Sequence, residues 1–178
     1  MSSVQNYVKE RIVTELKNKL QTDLGIESLY IKPFNVIQLN GVYLNDRKDS
    51  TILKANTIYS DFDLLPLLNR QLIFNAAKLS DFDVNLAKDS ANAPLNIQFI
   101  IDAFKPKEQT NKEKIQVHIN SLDIENGNFR YDIKDRGVIN DKFDANHIDI
   151  SNLNAKLALK SLEPDSLNIQ IKKLKLEE

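Results

Sequence analysis

Cysteine and tryptophan are missing from this chain of 178 residues, methionine occurs once, histidine twice and glycine only four times. Without cysteine there is no disulfide framework, no thiol nucleophile and no thiolate metal site. The four glycines stand apart at 25, 41, 127 and 137, so no phosphate-cradling glycine loop exists. No charge of either sign dominates: 24 basic and 25 acidic side chains leave a net charge of −1, which removes the electrostatic footprint of a nucleic-acid binder. No apolar run reaches the roughly 20 residues that span a bilayer, and no signal peptide is recognisable. What is present is a chain 42% hydrophobic and 28% charged, a composition that folds.

The first 25 residues form a unit of their own. Val4, Val8, Ile12, Leu16, Leu20 and Leu24 recur every four positions, joined by Tyr7 and Val13, with no Pro or Gly among them. That spacing predicts an amphipathic helix capped by Ser2 or Ser3 and stopped at Gly25. Charges at Lys9, Glu10, Arg11, Glu15, Lys17, Lys19 and Asp23 forbid a spanning segment over about 31 Å of helix. Such a helix packs on a sheet, plugs an apolar opening, or continues from an upstream membrane anchor.

From residue 26 to 178 the hydrophobic period becomes two. Val36 to Leu44, Ile58-Phe62-Leu64, Phe82-Val84-Leu86, Ile115-Val117-Ile119, Phe129-Tyr131-Ile133, Ile148-Ile150, Leu157-Leu159 and Leu167-Ile169-Ile171 alternate with polar residues. Each reads as a strand with one apolar and one wet face, most naturally in an antiparallel sheet. Asn40-Gly41 and Asn126-Gly127 are candidate hairpin turns. Short helices fit Leu64–Asn69 and Ile97–Phe104, and the polar stretch from 105 to 114 reads as a loop within one continuous domain. An apolar-x-apolar-x-x-apolar-x-apolar pattern recurs at Val117-Ile119-Leu122-Ile124, Ile169-Ile171-Leu174-Leu176 and, in part, Ile148-Ile150-Leu153-Ala155. Its three-residue step predicts a β-bulge that returns the same face inward.

Chemistry-bearing constellations are few. His118 and His147 alternate with apolar neighbours, lie 29 positions apart and read as solvated strand residues. Asp61 with Asp63, and Asp81 with Asp83, could hold a divalent cation, but Phe62 and Phe82 between them point inward and leave the acids on the wet face. No serine stands in a nucleophile elbow. The sequence predicts no catalytic residues, no metal site and no cofactor.

Several segments together resemble the membrane-proximal part of TamB/AsmA-type proteins, bacterial relatives of the chorein-type bridge-like lipid-transfer proteins. They are Val4-Gln5 through the helix to Leu24-Gly25-Ile26, Leu39-Asn40-Gly41-Val42-Tyr43-Leu44-x-Asp46 and Asp49-Ser50-Thr51-Ile52-Leu53. Phe62-Asp63, Leu67-Leu68, Phe99 to Phe104 and Leu122-x-Ile124-Glu125-Asn126-Gly127-x-Phe129-x-Tyr131-Asp132 fit the same layout. One departure stands out: Ser80-Asp81 occupies the place of a turn glycine before Phe82. The resemblance implies a mainly β fold with an N-terminal helix, its sheet curled into a half-barrel or open trough that is apolar inside. The alternative is a sheet sealed by the helix. The implied lining is Val117, Ile119, Leu122, Ile124, Ile148, Ile150, Leu153, Leu157, Leu159, Ile169 and Ile171, and the implied cargo is phospholipid acyl chains. It further implies a non-enzymatic periplasmic segment in outer-membrane biogenesis, tethered through an inner-membrane anchor upstream of this chain. A partner among outer-membrane barrel assembly proteins is the other implied role, with client protein rather than lipid as cargo.

Overall fold

The computed structural model describes residues 3–32, 36–63, 71–104, 116–163 and 166–175. The elements are helix α1 (Ser3–Leu20), strands β1 (Leu24–Lys32), β2 (Val36–Asn45), β3 (Thr51–Asp63) and β4 (Gln71–Lys88), helix α2 (Gln98–Phe104), and strands β5 (Gln116–Ile119), β6 (Ser121–Ile133), β7 (His147–Glu163) and β8 (Ser166–Lys175). One sheet contains all eight strands in the order β1-β2-β3-β4-β6-β7-β8, with β5 also on β4. β1 and β8 lie at opposite ends of that order, so the sheet is open rather than closed into a barrel.

The N-terminal helix forms where the four-residue stripe places it but ends earlier than Gly25. Lys17 and Lys19 occupy its last turn, where cations meet the negative end of the helix dipole. Gln21 adopts a left-handed φ of 53° and donates its N–H to the Lys17 carbonyl at 2.8 Å, closing the helix. Leu24 and Gly25 therefore open β1 instead, paired with Leu44 and Tyr43. The outer end of the Tyr43 ring lies where a Cβ at Gly25 would sit, so the glycine lets the ring lie against the β1 backbone. The predicted helix at Ile97–Phe104 is observed as α2. The predicted helix at Leu64–Asn69 and the loop at 105–114 lie outside the described residues.

Two further expectations change. Asn40-Gly41 and Asn126-Gly127 make no turns and sit inside β2 and β6. Their backbones are left-handed at Gly41 (φ 57°) and Asn126 (φ 50°), the same property that suits such residues to tight turns, used here for kinks within strands. The sheet is also mixed, since β4 runs parallel to both β5 and β6 while every other pairing is antiparallel. The connection from β4 to β6 passes through α2, and a crossover of that kind lets strands run parallel. Alternation alone could not reveal it, because this parallel pair keeps one wet face like its antiparallel neighbours.

Cross-strand partners build apolar rows across the sheet. Leu29, Leu39, Ile58, Leu79, Ile124 and Ala155 follow one another from β1 to β7, and Leu174 of β8 is next in register. A second row joins Ile26, Val42, Ala55, Phe82, Gly127 and Leu153, and a third joins Leu24, Leu44, Leu53, Val84, Phe129 and Ile150. Between the first and second rows every strand from β1 to β6 on this path steps by three residues instead of two. The extra residue is Gly41 in β2, Asp81 in β4 and Asn126 in β6, all left-handed. Because neighbouring strands carry it at the same level, register is kept and the sheet is kinked along one transverse seam.

The predicted bulges appear where the three-residue step recurs in β7 and β8. Ile150 and Leu153 of β7 span three residues against two in β6, with Asn152 left-handed at φ 53°. In β8 the register shifts by one between the partners of Lys156 and Leu157, so Ile171 and Leu174 keep their alignment with Leu157 and Ala155.

Candidate functional site: an apolar sheet face

The two faces of the sheet differ in kind. On the polar face Asn126 donates to Asp81 at 2.5 Å and Asn128 donates to Asp83 at 2.7 Å, side by side across the parallel β4–β6 pair. Lys78 meets Glu125 at 2.7 Å, Lys156 meets Asp123 at 3.0 Å and Arg130 meets Asp149 at 2.7 Å. Gln38, Asn40, Ser28 and Thr57 continue the network on the first strands. Asp81 and Asp83 are exposed and are hydrogen-bonded by asparagines rather than facing each other around a cation. Among the described residues no three His, Asp or Glu side chains gather as metal ligands.

The opposite face carries the apolar rows. Leu39, Val42, Ile58, Leu79, Leu122, Ile124, Ile148, Ile150, Leu153 and Leu157 are all half-buried. In a two-layer domain the middle rows of a covered face lose nearly all exposure. Here Leu39, Ile58, Leu79 and Ile124 of the first row keep part of theirs, whereas Ala55, Phe82 and Gly127 at the centre of the second row are buried. Among the described residues only Leu20, Leu24, Leu29, Ile52, Ala55, Phe82, Ile133 and Ala155 form a buried apolar set. Phe82 lies over Gly127, its partner on β6, where any side chain would collide with the ring. This glycine leaves room for an aromatic neighbour rather than making a turn.

Helix α1 does not lie over the central strands. Its substantial contacts are with β1 and α2. Gln5 donates to the Ile31 carbonyl at 3.3 Å and Lys9 donates to the Glu27 carbonyl at 3.3 Å, so the helix runs along β1 at the end of the sheet and occupies main-chain acceptors there. Val8, Val13 and Leu16 are half-buried and Leu20 is buried, whereas Val4, Tyr7 and Ile12 from the predicted stripe are exposed. Among the described residues no helix is long and apolar enough to cross a membrane.

The eleven lining residues read from the sequence fall on β5 to β8. Leu122 pairs with Leu157, and Ile124, Ile150 and Leu153 stand in the three apolar rows, while Ile148 pairs with Tyr131. Val117 and Ile119 pair with Leu72 and Phe74 of β4, Leu159 with Ile169, and Leu157 with Ile171. The side chains of Val117, Ile119, Leu159, Ile169 and Ile171 lie outside what is described. Sequence reasoning missed the equal contribution of β2, β3 and β4, namely Leu39, Val42, Leu53, Ile58, Leu79 and Val84. The signal was available: Ile37-x-Leu39-x-x-Val42-x-Leu44 and Ala77-x-Leu79-x-x-Phe82-x-Val84 repeat the same three-residue step.

His147 is not a solvated strand residue. Its Nδ1 lies 2.6 Å from Asp132 and its Nε2 lies 3.1 Å from the Arg136 carbonyl oxygen, tying β6 and β7 where they join. The side chain of His118 lies outside what is described. Two buried aspartates shape the turns at this end of the sheet. Asp46 accepts the N–H groups of Lys48 and Ser50 at 2.8 and 2.9 Å, and Asp144 accepts those of Ile139 and Asn146 at 2.9 Å each. The Ile139 and Asn146 N–H groups hold the Asp144 carboxyl below the usual carboxylate range. Lys48 and Lys134 do the same for Asp89, which joins the β2–β3 turn to the base of the β6–β7 turn.

No protein-family profile, no curated protein and no solved structure matches this chain.

Proposed function

We propose that the apolar face is a groove for lipid acyl chains and that the chain is a TamB/AsmA-type segment serving phospholipid transfer, without catalysis. The single observation that carries this reading is the set of apolar rows running from β1 to β7, in which most side chains stay half-buried while Leu24, Leu29, Ala55, Phe82 and Ala155 are buried, with helix α1 packed on β1. An acyl chain of about 16 carbons costs on the order of 13 kcal/mol to expose to water, at roughly 0.8 kcal/mol per CH₂. A face of Leu, Ile, Val and Phe side chains offers surroundings about as apolar as a bilayer interior. Movement between bilayer and groove is then close to neutral, while headgroups stay in water along the rim. Such a site needs no charged ligand, in keeping with the absence of histidine or cysteine clusters from the sequence.

In this reading the segment works in the periplasm, held to the inner membrane by an upstream anchor, in the biogenesis of the outer membrane. A second reading is an assembly role beside an outer-membrane barrel partner. It is favoured by β8, which among the described residues pairs with β7 alone and leaves an edge that a client strand could extend.

Binding of a phospholipid labelled on its acyl chain tests the groove. The native chain raises probe fluorescence, and Ile124→Asp with Ile150→Asp weakens binding at least about tenfold, since each places a charge among apolar atoms. Asp123→Ala on the other face leaves binding unchanged. Equal binding by the doubly substituted chain, with its circular dichroism intact, overturns the proposal.

A further inference from the structure

The turn joining β6 to β7, residues 134–146, exposes three large apolar side chains: Phe143 at 83%, Val138 at 66% and Ile139 at 50%. Exposure here is not a consequence of a loose loop. Lys134 N–H bonds the Lys88 carbonyl at 3.0 Å, Arg136 N–H bonds the Ile133 carbonyl at 3.0 Å, and Ile139 N–H bonds the buried Asp144 carboxylate at 2.9 Å. The His147 ring contact with the Arg136 carbonyl holds the base of the turn. The fold thus spends a buried aspartate and a histidine on a turn that presents Val138, Ile139 and Phe143 to solvent.

We propose that this turn dips into the surface of a phospholipid bilayer. The size of the patch selects a bilayer over a protein partner. Three side chains on one turn fall far short of the roughly 800 Å² per partner of a stable protein interface, whereas shallow insertion of a few apolar groups suits a headgroup boundary. Lys134, Arg136 and Lys142 balance Asp135, Asp141 and Asp144, so the turn is electrically neutral and insertion rests on its apolar side chains rather than on lipid charge. The turn follows directly from Tyr131 and Ile133 on β6 and leads to Ile148 and Ile150 on β7, so a bilayer met here adjoins one end of the apolar face. The inference rests on the turn itself and survives if the groove binds no lipid.

The chain has no tryptophan, so Phe143→Trp supplies a single reporter in the full chain. Vesicles of phosphatidylcholine with phosphatidylglycerol are expected to shift its emission to the blue, and lipids brominated near the headgroup to quench it. Lys48→Trp, on the polar turn between β2 and β3, is expected to show neither effect. In flotation with the same vesicles, Val138→Ser with Phe143→Ser lowers partitioning about tenfold or more. No shift with vesicles overturns the proposal. A blue shift that grows with protein concentration without vesicles also overturns it, by assigning the tip to a second copy of the chain.

Discussion

The two faces of the sheet are built by different rules although they share every strand. The polar face is a set of individual partnerships, such as Asp81 with Asn126, Asp83 with Asn128 and Arg130 with Asp149, each specific and each exposed. The apolar face is a set of rows in which one aliphatic side chain can stand for another. What couples them is the seam. Where each strand takes a third step, two consecutive residues fall on the polar side, and the apolar rows resume in register. The polar face consequently bears the conformational cost of left-handed Asp81 and Asn126, and the apolar face stays continuous. Substitutions should therefore act strongly on one face and weakly on the other.

Phe82→Ala tests the strong side. Phe82 is buried over Gly127, and truncation is expected to cost about 3 kcal/mol in urea unfolding. A cost under about 1 kcal/mol would break the contrast between the faces. Gly127→Ala examines the same contact from below. The added methyl must displace the Phe82 ring, with an expected loss of about 1–3 kcal/mol.

The seam is probed by two variants at one position. At Asp81, with φ of 51°, glycine adopts the left-handed backbone freely and alanine does not, so Asp81→Gly should be more stable than Asp81→Ala by about 1 kcal/mol. Equal stability would mean that the kink does not depend on this residue.

Acid titration separates the turns from both faces. The folded Asp144 carboxyl is held below its usual value of about 3.9, so its contribution is fully present above that pH and is lost as pH falls through the depressed value. Asp144→Asn should therefore flatten the fall of Tm between about pH 5 and pH 2, measured by thermal melts. An unchanged pH profile would show that the carboxylate does not hold the turn. The smallest effect belongs to the polar face: Arg130→Ala breaks an exposed ion pair and should cost less than about 1 kcal/mol.

Much of this architecture is legible in the residues. The α1 stripe, the alternation in the strands, α2 and the bulge pattern in β7 and β8 all follow from hydrophobic spacing. Other features escape for physical reasons. A helix stop at Gln21 is invisible because glutamine is an unusual left-handed residue, and Gly25 four positions on offered a more ordinary one. Asn-Gly suits both a hairpin turn and an in-strand kink, and only the partner strands decide between them. Parallel pairing of β4 with β6 depends on the path of the crossover, which leaves no trace in strand composition. The implied lining rests on three copies of a motif; its counterparts in β2 and β4 carry at the three-residue step Asn40-Gly41, a candidate hairpin turn, and Ser80-Asp81, which stands in the place of a turn glycine.

The central claim concerns which face meets lipid, and two adjacent residues on β6 test it most directly. A photo-crosslinking side chain at Ile124 stands in an apolar row, and the same side chain at Asp123 stands beside Lys156 on the polar face. Irradiation in cells followed by mass spectrometry is expected to yield phospholipid adducts at Ile124 and essentially none at Asp123. Equal labelling at the two positions, or no lipid at Ile124, would contradict the account.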